Sequence, residues 1–179
     1  QACWYSLNNG VTNTSLTCGV NVTGLTSSEG SNTWRVYAND TSGNNNFTTS
    51  RTFSVDSTMP LAQFVSPTPT SGSSQTSSSF NVNVTASDTN LANITIRLYN
   101  SSHSLLNENI STISPFNMSY SSLSDGIYFF NASARDSFNN KNETETRNVT
   151  IDSTTPLAQF VSPTPTSGSS QTSSSFNVN

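Results

Sequence analysis

Residues 55–83 read VDSTMPLAQFVSPTPTSGSSQTSSSFNVN, and residues 151–179 read IDSTTPLAQFVSPTPTSGSSQTSSSFNVN. Two positions differ, Val55 against Ile151 and Met59 against Thr155, and the offset is 96 residues. Weaker matches extend upstream at the same offset: Ala38-Asn39-Asp40 with Ala134-Arg135-Asp136, Gly43-Asn44 with Asn139-Asn140, and Trp34 with Phe130. Solenoid repeats run to roughly 20–50 residues. A period of 96 instead suits one whole β-sandwich of about 100 residues. The chain then divides into residues 1–57, the later part of one repeat; residues 58–153, a complete repeat; and residues 154–179, the opening strands of a following one. This phase expects a longer native polypeptide, with any secretion signal outside it. An alternative is that residues 154–179 are donated to the open unit of a neighbouring chain, giving a strand-swapped polymer. Joining Asn179 to Gln1 would omit the residues that the full repeat has around Val84 to Ile96.

Outward from the repeat, apolar residues alternate with period two, the mark of half-buried strands. Phe80, Val82, Val84 and Ala86 share one face, and Asn81, Asn83 and Thr85 the other. Ile94, Ile96 and Leu98 alternate with Asn93, Thr95 and Arg97. Tyr128, Phe130, Ala132 and Ala134 alternate with Phe129, Asn131, Ser133 and Arg135. Phe116, Met118 and Tyr120 make a short strand, and Val149 and Ile151 close the unit. Leu61–Val65 and a short Leu105–Leu106 segment bring the total to about seven. No 3.6-residue apolar period appears, so helix is not expected. One-sided alternation implies antiparallel sheets with one wet face, and two such faces must meet to bury a core. The expected class is all-β, built of tandem antiparallel sandwiches.

Serine, threonine and asparagine supply 86 of the 179 residues, while charged residues are 9 % and hydrophobic ones 31 %. Disordered chains join low hydrophobicity to high net charge and few aromatics. Here the net charge is −4, and ten Phe, five Tyr and two Trp sit in the alternating runs. Six scattered Lys and Arg make no patch for neutralising phosphates, which argues against nucleic acid. No apolar run approaches the ~20 residues that span a bilayer.

The run Leu123-Ser124-Asp125-Gly126-Ile127-Tyr128, Ala134-Arg135-Asp136, Asn139-Asn140 and Val149 to Pro156 resembles the closing half of immunoglobulin-like and fibronectin-III-like repeats. Such repeats occur in large archaeal and bacterial surface proteins. Gly24-Leu25, Trp34 to Asp40, Ser42-Gly43-Asn44 and Val55 to Pro60 repeat the pattern in the first unit. Cys3-Trp4-Tyr5-Ser6-Leu7 is similar to the opening of archaeal members. The resemblance implies immunoglobulin-like sandwiches serving as spacers, adhesins or appendages; it does not choose among these functions. Pro60 and Pro156 follow a last strand and hold the preceding residue extended. Pro67-Thr68-Pro69 and Pro163-Thr164-Pro165 read as a sheet edge or stiff connector. The SGSSQTSSS stretches at Gly72 and Gly168 read as flexible loops or O-glycosylated surface.

Candidate sites are few. Cys3 and Cys18 read as a disulfide across a hairpin, which places the chain in an oxidising compartment; a metal site lacks further thiols and has only His103 to draw on. Twelve N-x-Ser/Thr sequons occur, at Asn13, Asn21, Asn39, Asn46, Asn83, Asn93, Asn100, Asn109, Asn117, Asn131, Asn142 and Asn148. Asn83, Asn93, Asn131 and Asn148 fall on the outward phase of their strands, where a glycan is accommodated. Asp40, Asp56, Asp136 and Asp152 recur near domain ends. Turn capping is the commoner role for such residues, and calcium at a domain junction the rarer one, needing six to eight oxygens. Phe129 and Tyr37 point outward, as residues that stack on sugars or dock a neighbour do. No Gly-x-Ser-x-Gly elbow, phosphate loop or dinucleotide fingerprint is present, and His103 is not preserved by the repeat. The reading is therefore a non-enzymatic extracellular filament, stalk or adhesin shaft at a cell surface. It carries covalent glycans and associates with itself end to end or laterally, or with another cell surface. A carbohydrate- or partner-binding surface module is the first alternative, and a strand-exchanged filament subunit the second.

Overall fold

The alternation of residues 80–86 becomes a central strand with one wholly buried face. In the computed structural model, which describes residues 1–172, 174, 175 and 178, the complete repeat opens with β6 (Leu61–Val65), β7 (Ser73–Gln75) and β8 (Phe80–Ser87). It continues through β9 (Leu91–Tyr99), β10 (Leu105–Ser111), β11 (Phe116–Tyr120), β12 (Gly126–Asp136), β13 (Lys141–Glu143) and β14 (Arg147–Ile151). No helix occurs among the described residues. One sheet has the order β11-β8-β6, and the other β10-β9-β12-β14-β7 with β13 beside β12. Every pairing is antiparallel except β14 with β7. If β6/β7 and β13/β14 are each counted as one interrupted strand, this is a seven-strand immunoglobulin-like sandwich.

The core lies between the two sheets. Val82, Val84, Ile94, Ile96, Phe130, Ala134 and Val149 are fully buried, and each large apolar side chain removed from water contributes about 1.5–3 kcal/mol. Phe130 is central, with Phe64 of β6 and Phe80 of β8 at ring-centroid distances of 5.4 and 5.5 Å. The Tyr128 hydroxyl donates to the Ser124 carbonyl at 3.0 Å, the corner bond that fixes entry into the corresponding strand of such sandwiches.

Two expectations need correction. Ser73–Gln75 is not a flexible loop but an edge strand, because the backbone of β14 needs a partner on its outer side: Gly72 N–H donates to Asn148 O and Asp152 N–H to Gln75 O. Pro67-Thr68-Pro69, expected as a sheet edge or stiff connector, joins the two sheets of one unit and not two units. It lies between β6 and β7, where the chain crosses from one sheet to the other.

The first unit comprises β1 (Ala2–Ser6), β2 (Thr14–Leu16), β3 (Gly30–Asn39), β4 (Asn45–Phe47) and β5 (Arg51–Val55). They form one sheet, β2-β1-β3-β4, with β5 also on β3. This is the counterpart of β10-β9-β12-β13 with β14. Cys3 and Cys18 are bonded, with Cα atoms 5.3 Å apart. Closing a loop of this length stabilises by about 3 kcal/mol in the chain-entropy account.

Candidate functional site

The recurring aspartates organise turns. Asp40 Oδ1 accepts the N–H groups of Ser42 and Asn44, both at 2.9 Å, and Asp40 Oδ2 the Asn44 amide at 2.7 Å. Ninety-six residues on, Asp136 Oδ1 accepts from Phe138 and Asn140 N–H at 2.9 and 2.8 Å, and Oδ2 from the Asn140 amide at 2.8 Å. The residue before the asparagine has a left-handed backbone, Gly43 at φ 85° and Asn139 at φ 72°; glycine and asparagine tolerate that region best. The Asn44 side chain, then its N–H, hold the Asp40 carboxyl below the usual range.

A second motif ties the end of each unit to its own last hairpin. Asp125 accepts from Ser153 N–H at 2.8 Å and from the Ser153 and Thr154 hydroxyls at 2.7 and 2.6 Å. Glu29 stands at the equivalent place and accepts from the N–H and hydroxyl of Ser57. The Thr154 hydroxyl, followed by the Ser153 donors, pulls the Asp125 carboxyl down to about 2.

The two units meet where these motifs converge. Asn140 Nδ2, while bonded to Asp136, also donates to the Asp56 carbonyl at 2.8 Å. Asn90 Nδ2 donates to Asp56 Oδ2 at 2.7 Å, and Ser137 N–H to the Asn90 carbonyl at 2.9 Å. A cleft of about 420 Å³ lined by Glu29, Asp56, Asp88, Asn90 and Phe138 lies between the units. Carboxylate oxygens of Asp56, Asp88 and Asp136 come within 4.8 Å of one another, with Asp136 only 1 % exposed. Hard cations take oxygen ligands of this kind. In this geometry most of those oxygens already accept N–H groups: Asp136 takes three donors, Asp56 those of Thr58 and Asn90, and Asp88 that of Asn90 N–H. Of the four aspartates marked by the repeat, Asp56 and Asp136 are brought together here, while Asp40 and Asp152 are not. Asp88 and Asn90 escape a sequence reading because their turn follows β8, a part of the repeat that the flanking segments lack.

Sequon asparagines fall in two groups. Asn13, Asn21, Asn46 and Asn117 are exposed, and Asn39, Asn83, Asn93, Asn100, Asn109, Asn131, Asn142 and Asn148 are partly buried. Several of the second group have side chains already engaged. Asn83 Nδ2 donates to Ser66 O at 3.0 Å, Asn131 Nδ2 to Thr146 Oγ1 at 3.3 Å, and Asn148 Oδ1 accepts from Ser71. Phe129 faces away from the core but is half-covered by His103, with centroids 4.2 Å apart; Tyr37 stacks on Trp4 and meets Phe47 at a tilt.

No protein-family model and no curated protein matches the chain. Among solved structures it is similar to the fibronectin(III)-like modules of Clostridium thermocellum CbhA, at 13 % identity and TM-score 0.38, over 84 % of this chain and 76 % of that one. It is similar also to the FN1–FN3 domains of chicken CNTN1, at 12 % identity and TM-score 0.40, over 84 % of this chain and 54 % of that one. An engineered protein matches at 17 % identity and TM-score 0.42, over 57 % of this chain and 22 % of that one. Dimeric latent PorU from Porphyromonas gingivalis matches at 15 % identity and TM-score 0.40, over 69 % of this chain and 12 % of that one. The chain thus spans less than a quarter of the length of these last two.

Proposed function

We propose that this chain is a non-enzymatic, extracellular spacer, a segment of a glycosylated filament, stalk or adhesin shaft made of tandem sandwiches. The observation that carries the reading is the joint. Asp56, at the end of one unit, is held by Asn90 and Asn140 of the next, and the motif that ends the complete repeat copies the one that ends the first. A bonded joint of few residues favours a rod over loose beads. The disulfide agrees with an oxidising compartment outside the cytosol, and a surface of hydroxyls and amides with weak charge permits shafts to lie side by side. Glycans are expected first at the exposed Asn13, Asn21, Asn46 and Asn117. Electron microscopy with intact-mass analysis of the native material tests the reading: periodic threads carrying mass above the polypeptide value support it, and unglycosylated globular particles overturn it.

One observation favours a carbohydrate-binding surface module as second reading. Tyr99, His103 and Phe129 line a shallow groove with Asn131 and Thr146, so rings that stack on sugars adjoin amide and hydroxyl groups. A glycan array decides: binding lost in Phe129→Ala moves the weight to this reading, and a blank array leaves the spacer.

A further inference from the structure

The outer face of the larger sheet carries a row of side chains that take no part in the core. In the registers of β9, β12 and β14, Phe129 stands directly opposite Tyr99 on one side and Asn148 on the other. The alternating neighbours Leu98, Phe130 and Val149 are buried on the inner face, so these three point outward together. Residues directly opposite across a sheet have Cβ atoms about 4.5–5.5 Å apart. His103 reaches over Phe129 from the hairpin between β9 and β10. It is held there with φ 58°, a backbone region uncommon for a residue other than glycine. Asn100 tightens that hairpin, its Oδ1 accepting the N–H groups of Ser102 and Ser104 at 3.0 and 2.9 Å. The result is a shallow groove of about 310 Å³ walled by Tyr99, His103 and Phe129, with Asn131 and Thr146 along its floor.

Asn148 opens the sequon Asn148-Val149-Thr150. Its Oδ1 accepts from the Ser71 hydroxyl at 2.8 Å, which fixes the plane of the amide. Its Nδ2 has no hydrogen-bond partner among the described residues and is not shut away from solvent. The nitrogen that receives the sugar in N-glycosylation therefore faces outward, one strand from the Phe129 ring. Asn131, the other sequon beside the groove, is placed differently: its Nδ2 donates to Thr146 Oγ1 at 3.3 Å and its Oδ1 is enclosed. Size also bears on the occupant. Ligand clefts run from ~300 to 1,000 Å³, so this groove takes one sugar ring rather than an oligosaccharide. A single half-covered aromatic ring holds a free monosaccharide weakly. Tethering raises the effective concentration to the order of mM or more, so a weak seat is filled when its sugar is attached next door.

We infer that Asn148 carries an N-linked sugar whose first ring lies on Phe129, between His103 and Tyr99. This rests on the glycosylated reading above and names one attachment site and its seat. In the attachment, Asn148 Nδ2 forms a bond to C1 of a sugar phosphate donor supplied by a cellular glycosyltransferase. The C1–O bond to phosphate breaks, its electron pair leaves on the phosphate oxygen, and Nδ2 gives up one proton. The groove is then occupied by the chain's own sugar, and a glycan array probes a site that is already filled.

The test uses the 179-residue chain made in a host that attaches N-linked oligosaccharides, trimmed by endoglycosidase to one N-acetylglucosamine per occupied site. Peptide mass mapping is expected to find Asn148 occupied and Asn131 bare. Asn148→Gln should lower the Tm of the trimmed chain by about 2–4 °C. The same substitution should change nothing in chain made without sugar, or in chain that also carries Phe129→Ala. Phe129 lies outside the core, so that variant still folds. Ring-proton resonances of the Asn148 sugar should be displaced upfield by the aromatic ring and return in Phe129→Ala. Asn117, exposed on β11 of the other sheet, serves as control: losing its sugar should have an effect independent of Phe129. Sugar at Asn117 with Asn148 bare, or a Tm loss at Asn148 that is the same with and without Phe129, overturns the inference and leaves the glycosylated spacer standing. Native material without sugar at any sequon removes both.

Discussion

Asp125 shows how one exposed carboxylate secures the end of a domain. Its carboxyl sits near 2, against an ordinary 3.8, because Thr154 and Ser153 donate to the charged form. A depressed folded-state value means that the stabilisation is complete above about pH 4 and is lost as pH falls through 2. Side-chain carboxyl NMR should place the Asp125 midpoint near 2. Asp125→Ala should flatten the fall in Tm between pH 4 and 2; an Asp125 midpoint at 3.8 would show the bonds to be unformed. Within the core, Phe130→Ala should cost about 3–5 kcal/mol in urea unfolding, since Phe64 and Phe80 both lean on that ring. Val36→Ala, at a side chain 44 % exposed, should cost under about 1 kcal/mol. Phe130 was legible in sequence from its place in an alternating run and its match to Trp34. The opposite exposure of Val36 and Ala132, equivalent across the repeat, was not, because whether a face is covered depends on strands elsewhere in the chain.

At the scale of elements, alternation located β8, β9, β12 and β14, because burial of one face is written into every second residue. β7 escaped because Ser73-Ser74-Gln75 carries no apolar or β-branched signal; backbone pairing with β14 alone makes it a strand. The joint was half legible. Its aspartates recur in the repeat, but Asn90 reaches Asp56 from 34 residues away. Asn140→Ala removes the donor shared by Asp56 and Asp136 and leaves a buried carboxylate short of one partner, a loss of about 1–3 kcal/mol read as a lower Tm. Asp88→Asn separates the two accounts of the carboxylate trio. The amide oxygen still accepts Asn90 N–H while one of three crowded charges disappears, so in chelator the variant should hold or gain up to about 1 kcal/mol. If hydrogen bonds alone close the joint, added calcium should leave the Tm of the parent chain unchanged. A calcium-induced rise in the parent chain, absent from the variant, would make the trio an ion site.

For the whole molecule, the direction of pull matters more than total stability. The complete repeat is entered through Pro60, just before β6, and left through Ser153, just after β14. Through β7, the opening segment is hydrogen-bonded in parallel to the closing strand. Tension applied at the two ends slides β7 along β14, so that the bonds from Gly72 to Asn148 and from Asp152 to Gln75 are stressed together rather than one after another. A pair of strands joined at one end and peeled apart would break the same bonds singly. Few of the bonds in this pairing lie in the apolar core, so the resistance they give is separable from thermodynamic stability. Gln75→Pro fixes φ and deletes an N–H on the side of this three-residue ladder that faces β14, the side on which the Gln75 carbonyl accepts from Asp152. Chemical unfolding should therefore change little, by about 1 kcal/mol, while the force peak in single-molecule pulling should fall well below that of the parent domain. Equal force peaks would mean that resistance resides in the core, and that the β7–β14 pairing serves only to cover an edge.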